Sequence, residues 1–113
     1  MADLQIQKKE AGGITVLAIA GKLDAKTAPA LSAELKGLVG TGHAKIICDM
    51  SGVSYIASAG VGTLKAGLVD AKKNGGDLRL AGLQQEVQDV FDVLGFTKLF
   101  VIAPDVKTAA QGI

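Results

Sequence analysis

The chain opens on Leu4-Gln5-Ile6-Gln7-Lys8, which alternates apolar and polar residues with the period of a half-buried strand. Ala11-Gly12-Gly13 then supplies turn chemistry. From Ile14 to Ala20 the apolar run is nearly continuous, which predicts a second and more deeply buried strand. Two strands joined by a short glycine-containing link read as an antiparallel hairpin. Ala28, Leu31, Leu35 and Leu38 then form one stripe of a helix. Asp24 or Thr27 is placed to cap it, Pro29 falls in its first turn, and Gly40-Thr41-Gly42 ends it. Ala44 to Asp49 has the length and apolarity of a third strand, and Met50 to Ala57 reads as a loop. Val61, Leu64, Leu68 and Ala71 stripe a second helix, stopped by Asn74-Gly75-Gly76. Asp77 to Ala81 is a fourth strand. Val87, Val90, Phe91 and Leu94 stripe a third helix, with Gly95 just past its end. Leu99 to Ile102 reads as a fifth strand, and Pro104-Asp105 opens a short helix ending near Ala110. Val93, Phe96 and Phe100 are placed to cover the sheet edge.

The order is ββαβαβαβα. It predicts an α/β fold with a mixed, mainly parallel five-stranded sheet and about four helices. With 113 residues the chain is a single domain, residues 1–113. Twelve Lys and Arg against eleven Asp and Glu give a net charge of +1, which leaves no bulk field for nucleic acid or anionic lipid. No stretch reaches the roughly 18 consecutive apolar residues of a membrane span, so direct membrane insertion is not expected. Met1-Ala2-Asp3-Leu4-Gln5 lacks the basic and apolar regions of a leader. With one free cysteine, Cys48, this points to a reducing, cytoplasmic setting.

Several enzyme chemistries fail on residue type. The nearest phosphate-loop spacing, Gly37 to Gly42, is followed by His43 where lysine is required. Gly60-Val61-Gly62 begins a dinucleotide fingerprint, but Lys65 takes the third glycine position. His43 is the single histidine and lies in a glycine-flanked turn, and Cys48 lies inside an apolar strand. The carboxylates are scattered. Thr15, Asn74 and Arg79 read as isolated surface or edge residues, too few to line a ligand pocket. These observations predict a chain that is not an enzyme and that holds no cofactor or metal.

One segment stands apart, the stretch from Asp49 to Gly62 that joins the third strand to the second helix. It lies at the carboxyl end of a parallel strand, where open α/β sheets place their sites. Ser58 precedes the helical stripe and reads as an N-cap, while Ala59, Gly60 and Gly62 allow close backbone approach. A phosphate on Ser58 would meet the free amides and positive dipole end of a helix N-terminus. The fold would tolerate it, and a partner would feel an added charge of about −1.5 to −2.

Gly21-x-Leu23-Asp24, followed by Asp49-x-Ser51-x-Val53-x-Tyr55-Ile56-x-Ser58-x-Gly60-x-Gly62, resembles a STAS domain of the stand-alone anti-sigma factor antagonist type. The similarity covers essentially the whole chain. It implies a partner switch: the unphosphorylated antagonist binds an anti-sigma factor that is also a serine kinase, and sigma factor is released. The kinase phosphorylates the serine matching Ser58, which ends the binding, and a metal-dependent serine phosphatase reverses the mark. Asp24 matches an aspartate on the kinase-contacting surface, which Thr27, Ala57, Ala59 and Gly60 would share by position. The family usually carries Asp-Ser-Ser-Gly or Asp-Ser-Thr-Gly, whereas this chain has Ala57-Ser58-Ala59-Gly60. The acceptor position is kept, but its acidic and hydroxyl neighbours are both alanine. That departure gives weight to an alternative, a STAS subunit of a membrane lipid-transport ATPase complex that grips the ATPase without a phospho-switch.

Overall fold

The structure is a computed structural model that describes residues 4–113; residues 1–3, part of the segment read above for a leader, lie outside it. Its elements are β1 (Leu4–Ala11), β2 (Ile14–Leu23), α1 (Ala28–Gly40), β3 (Lys45–Ile56), α2 (Ser58–Lys73), β4 (Asp77–Ala81), α3 (Gln85–Leu94), β5 (Ile102–Ala103) and α4 (Val106–Ala109). A 3-10 turn, Thr97–Leu99, precedes β5. The five strands lie in the order β1-β2-β3-β4-β5, with β1 antiparallel to β2 and every other pair parallel. This is the expected mixed sheet, with the hairpin at one edge.

The helical stripes do what their spacing predicts. Ala28, Leu31, Leu35 and Leu38 of α1 are buried, as are Val61, Leu64, Leu68 and Ala71 of α2. They close over Leu17, Ile19, Leu23, Ile46, Cys48, Leu78 and Leu80 in one core with Phe91 and Phe100. Those two rings meet edge to face, 5.6 Å apart. A smaller cluster of Ile47, Ala81, Ala103 and Ala109 sits under α4. Gly95 adopts the left-handed conformation that ends α3, with φ 77°.

Four expectations need correction. The segment read as a loop, Met50 to Ala57, is strand as far as Ile56. Met50, Val53 and Ile56 are buried there, and β3 keeps its pairing with β2 by absorbing an extra residue at each of two register shifts. Past the apolar run that ends at Asp49, these bulges leave Met50 to Ile56 without the strict alternation that marks a strand. The fifth strand is Ile102–Ala103 and not Leu99 to Ile102, because Leu99 completes the 3-10 turn. Val93 does not cover the sheet edge: it is 86% exposed, although Phe100 is buried. Two of the supposedly isolated polar residues are integrated. Thr15 is buried in β2. The Arg79 guanidinium pairs with Asp77 at 3.0 Å and donates to the carbonyls of Ala109, Gln111 and Gly112, pinning the end of the chain to β4.

Candidate partner-binding site

The strands β2 and β3 end side by side, and the chain leaves each through a short turn. The amide of Ala57 donates to the carbonyl of Leu23 at 2.9 Å, so the start of α2 is fastened to the end of β2. Ala57 keeps an extended backbone and is itself the N-cap of α2. Its carbonyl accepts the amides of Gly60 (2.9 Å) and Val61 (3.2 Å). Ser58 is therefore the first residue of the helix and not its cap. The expectation that its hydroxyl caps α2 is overturned, because the bond from Ala57 to Leu23 sets the helix start one residue early. Ser58 and Ala59 are exposed, whereas Gly60 is buried. The Ser58 hydroxyl stands on the first turn of a helix, where backbone amides lack intrahelical acceptors.

The turn that follows β2 is built around Asp24. One carboxylate oxygen accepts the amides of Lys26 (2.9 Å) and Thr27 (3.2 Å). The Asp24 carbonyl accepts the amide of Ala28 at 2.8 Å. Thr27 completes the lock: its hydroxyl accepts the Asp24 amide at 2.9 Å and donates to the Lys22 carbonyl at 2.8 Å. Thr27 occupies the N-cap position of α1 but has helical angles and makes no side-chain cap bond. Of the two proposed caps, then, Asp24 satisfies amides ahead of the helix, and Thr27 braces the turn. Partial desolvation pushes the Asp24 carboxyl up. The Thr27 and Lys26 amides, the Thr27 hydroxyl and the Lys26 charge together outweigh that and hold it below the ordinary carboxylate value. The group is thus an anion fixed in direction.

Two open depressions meet at Ala57. One, of about 680 Å³, is lined by Gly21, Lys22, Asp24, Ala25, Lys26, Ser54 and Ala57. The other, of about 460 Å³, runs between the end of β3 and α3 and has Ala57 and Ser58 on one wall. The structure thus brings Asp24, Ala57 and Ser58 onto one surface, with Asp24 and Ser58 in adjoining depressions. Thr27 and Gly60 line neither depression: Thr27 braces Asp24 through its hydroxyl, and Gly60 is buried against Leu23 and Ile56. Lys22, Lys26 and Ser54 also line this surface, and sequence reasoning did not single them out. Periodicity could not have done so, since each is an exposed polar residue with no apolar pattern to mark it.

No helix among the described residues is long and apolar enough to cross a membrane. A family model described as STAS domain matches residues 5–109. The anti-sigma-B factor antagonist of Bacillus subtilis (strain 168) is 34% identical over 94 residues, covering 83% of this chain and 82% of that protein. Among solved structures, an anti-sigma factor antagonist from Mycobacterium paratuberculosis superposes with a TM-score of 0.88 at 22% identity, over 97% of this chain and 93% of that one. The Bacillus cell fate determinant SpoIIAA matches in both of its solved forms. The unphosphorylated form gives a TM-score of 0.79 at 20% identity, over 92% of each chain. The phosphorylated form gives 0.72 at 19%, over 92% of this chain and 96% of that one. At these identities the solved structures establish the shared fold.

Proposed function

Because the chain belongs to the STAS domain family, in which its curated relatives are anti-sigma factor antagonists, we propose that it is itself an anti-sigma factor antagonist controlled at Ser58. With Ser58 free, it binds an anti-sigma factor serine kinase and so releases sigma factor. The kinase moves the terminal phosphoryl group of a bound nucleoside triphosphate to the Ser58 oxygen, the hydroxyl proton leaves to a base on the kinase, and the complex separates. A serine phosphatase restores the hydroxyl. The chain supplies the acceptor and the docking surface, and the kinase supplies the catalysis.

The observation that carries this reading is the exposed Ser58 hydroxyl at the first position of α2, on the same surface as the fixed Asp24 carboxylate. A helix N-terminus tolerates a phosphate, so the mark costs the fold little. The partner pays instead: like charges brought together in an interface cost several kcal/mol. About 3 kcal/mol is roughly a hundredfold in affinity, enough for a switch. The existence of SpoIIAA, on the same fold, in a phosphorylated form supports the reading. Ala57 and Ala59 leave Ser58 as the one hydroxyl in its tetrapeptide, so a phosphorylated product should carry the mark there.

The test is capture from host lysate with wild type and Ser58→Glu as parallel baits, read by mass spectrometry. An anti-sigma factor serine kinase held by wild type and lost by Ser58→Glu is the expected result. A transporter ATPase held equally by both baits would overturn the reading.

A further inference from the structure

Expected by position on the partner-contacting surface, Thr27 instead turns its side chain inward to the exit of β2. A hydroxyl has one proton to give and two lone pairs to receive. The Thr27 proton goes to the Lys22 carbonyl at 2.8 Å, and a lone pair takes the Asp24 amide at 2.9 Å. One hydroxyl thus ties the residue before Leu23 to the residue after it. The Thr27 amide donates to Asp24 Oδ1 at 3.2 Å, beside the Lys26 amide at 2.9 Å, and the Thr27 hydroxyl lies 3.3 Å from the same oxygen. All of these contacts reach Oδ1. No donor among the described residues reaches Oδ2. The Asp24 carboxylate is therefore held by one oxygen and offers the other.

On the switch reading above, we propose that Thr27 is a positioning residue for partner binding: without touching the partner, its hydroxyl raises affinity by fixing the direction in which Asp24 presents Oδ2. An exposed aspartate with no such brace rotates freely, and a partner that grips it must stop that rotation. Ordering one side chain on binding is worth about three- to tenfold in affinity, which a carboxylate already fixed does not lose. A loosened carboxylate also has two ammonium groups at hand, those of Lys22 and Lys26 in the same depression. Turning to either would use up its charge inside the chain.

The experiment titrates the purified kinase identified by lysate capture into wild type, Thr27→Val, Thr27→Ser and Ala33→Gly, and follows the Asp24 carboxyl carbon of each by NMR as pH is lowered. Thr27→Val keeps the shape and removes the hydroxyl, so it should bind about three- to tenfold more weakly. Desolvation raises the Asp24 carboxyl and the Thr27 hydroxyl is among the groups that hold it down, so in Thr27→Val it should titrate higher than in wild type. Thr27→Ser retains the hydroxyl and should match wild type in both readouts. Ala33→Gly weakens α1 at an exposed position and should melt early with both readouts unchanged. Wild-type affinity or an unmoved Asp24 titration in Thr27→Val, or an equal loss of affinity in Ala33→Gly, would overturn the proposal and leave the switch standing. Failure of the kinase to bind wild type would overturn both. If Thr27→Val melts below the assay temperature, Thr27→Ala replaces it under the same criteria.

Discussion

Gly60 rests directly on Leu23. A methyl group added at Gly60 would lie 2.7 Å from Leu23 Cγ and 3.0 Å from both Ile56 Cγ1 and the Leu23 carbonyl oxygen. That carbonyl already accepts the Ala57 amide at 2.9 Å. One residue of β2 therefore sets both the height and the direction of the first turn of α2, and with them the position of Ser58.

Gly60→Ala should destabilise the fold by about 1–3 kcal/mol, the usual cost of overpacking a filled site. Gly62 is the internal comparison, since nothing lies within 4 Å of a methyl group there. Gly62→Ala replaces a poor helix former in an open position and should stabilise by up to about 1 kcal/mol. Urea unfolding midpoints of the two variants should therefore move in opposite directions from wild type.

Ser58→Glu should fold as wild type does, because the N-cap of α2 is Ala57 and not Ser58, and an acidic residue at a helix N-terminus is favourable. Circular dichroism melting checks this. A drop of more than a few degrees would contradict the position assigned to Ser58. Ser58→Ala should likewise fold, and should still bind the kinase but take up no phosphate.

Asp24 gives a pH dependence with a defined sign. Its native carboxyl lies below the ordinary value of 3.8, so the unfolded chain takes up this proton before the native one as pH falls. The stability it contributes is complete above 3.8 and fades as pH drops through the lower native value. Asp105 behaves in the same way, its carboxyl held down chiefly by the Thr108 amide. Asp24→Asn should flatten the acid limb of stability against pH. Asp24→Ala should weaken partner binding more than it weakens folding, which paired unfolding and binding titrations would check.

Cys48 should be inert in the folded protein. It is fully buried, and burial pushes its thiol up to about 12. At pH 8 the thiolate is then about one molecule in ten thousand. A disulfide reagent should label Cys48 only after denaturant is added. Rapid labelling of the native chain would mean that the sheet opens locally at β3.

Most of the architecture was legible because its helices are amphipathic and its turns are rich in glycine. The buried stripe of α1, the stripe of α2 and the left-handed Gly95 follow from residue type and spacing. The second half of β3 was not legible. Its register shifts break the alternation that identifies a strand, so Met50 to Ile56 looked like a loop. The Ser58 position was marked by its motif, but its place in the helix depends on a long-range bond between Ala57 and Leu23 that no local pattern encodes. Val93 was visible as an apolar residue off the stripe of Val87, Val90, Phe91 and Leu94. Taking it as edge cover assumed that every large apolar residue is buried, whereas Val93 stands 86% exposed.

On the proposed switch, phosphate on Ser58 alone decides whether the partner stays bound. The direct measurement is calorimetric titration of the purified kinase with two preparations of this chain, unmodified and phosphorylated by that kinase, with the site confirmed by peptide mass spectrometry. The phosphorylated preparation should carry a single phosphate, on Ser58, and bind with an affinity lower by roughly a hundredfold or more. Equal affinity for the two preparations, or a phosphate placed on any other residue, would contradict it.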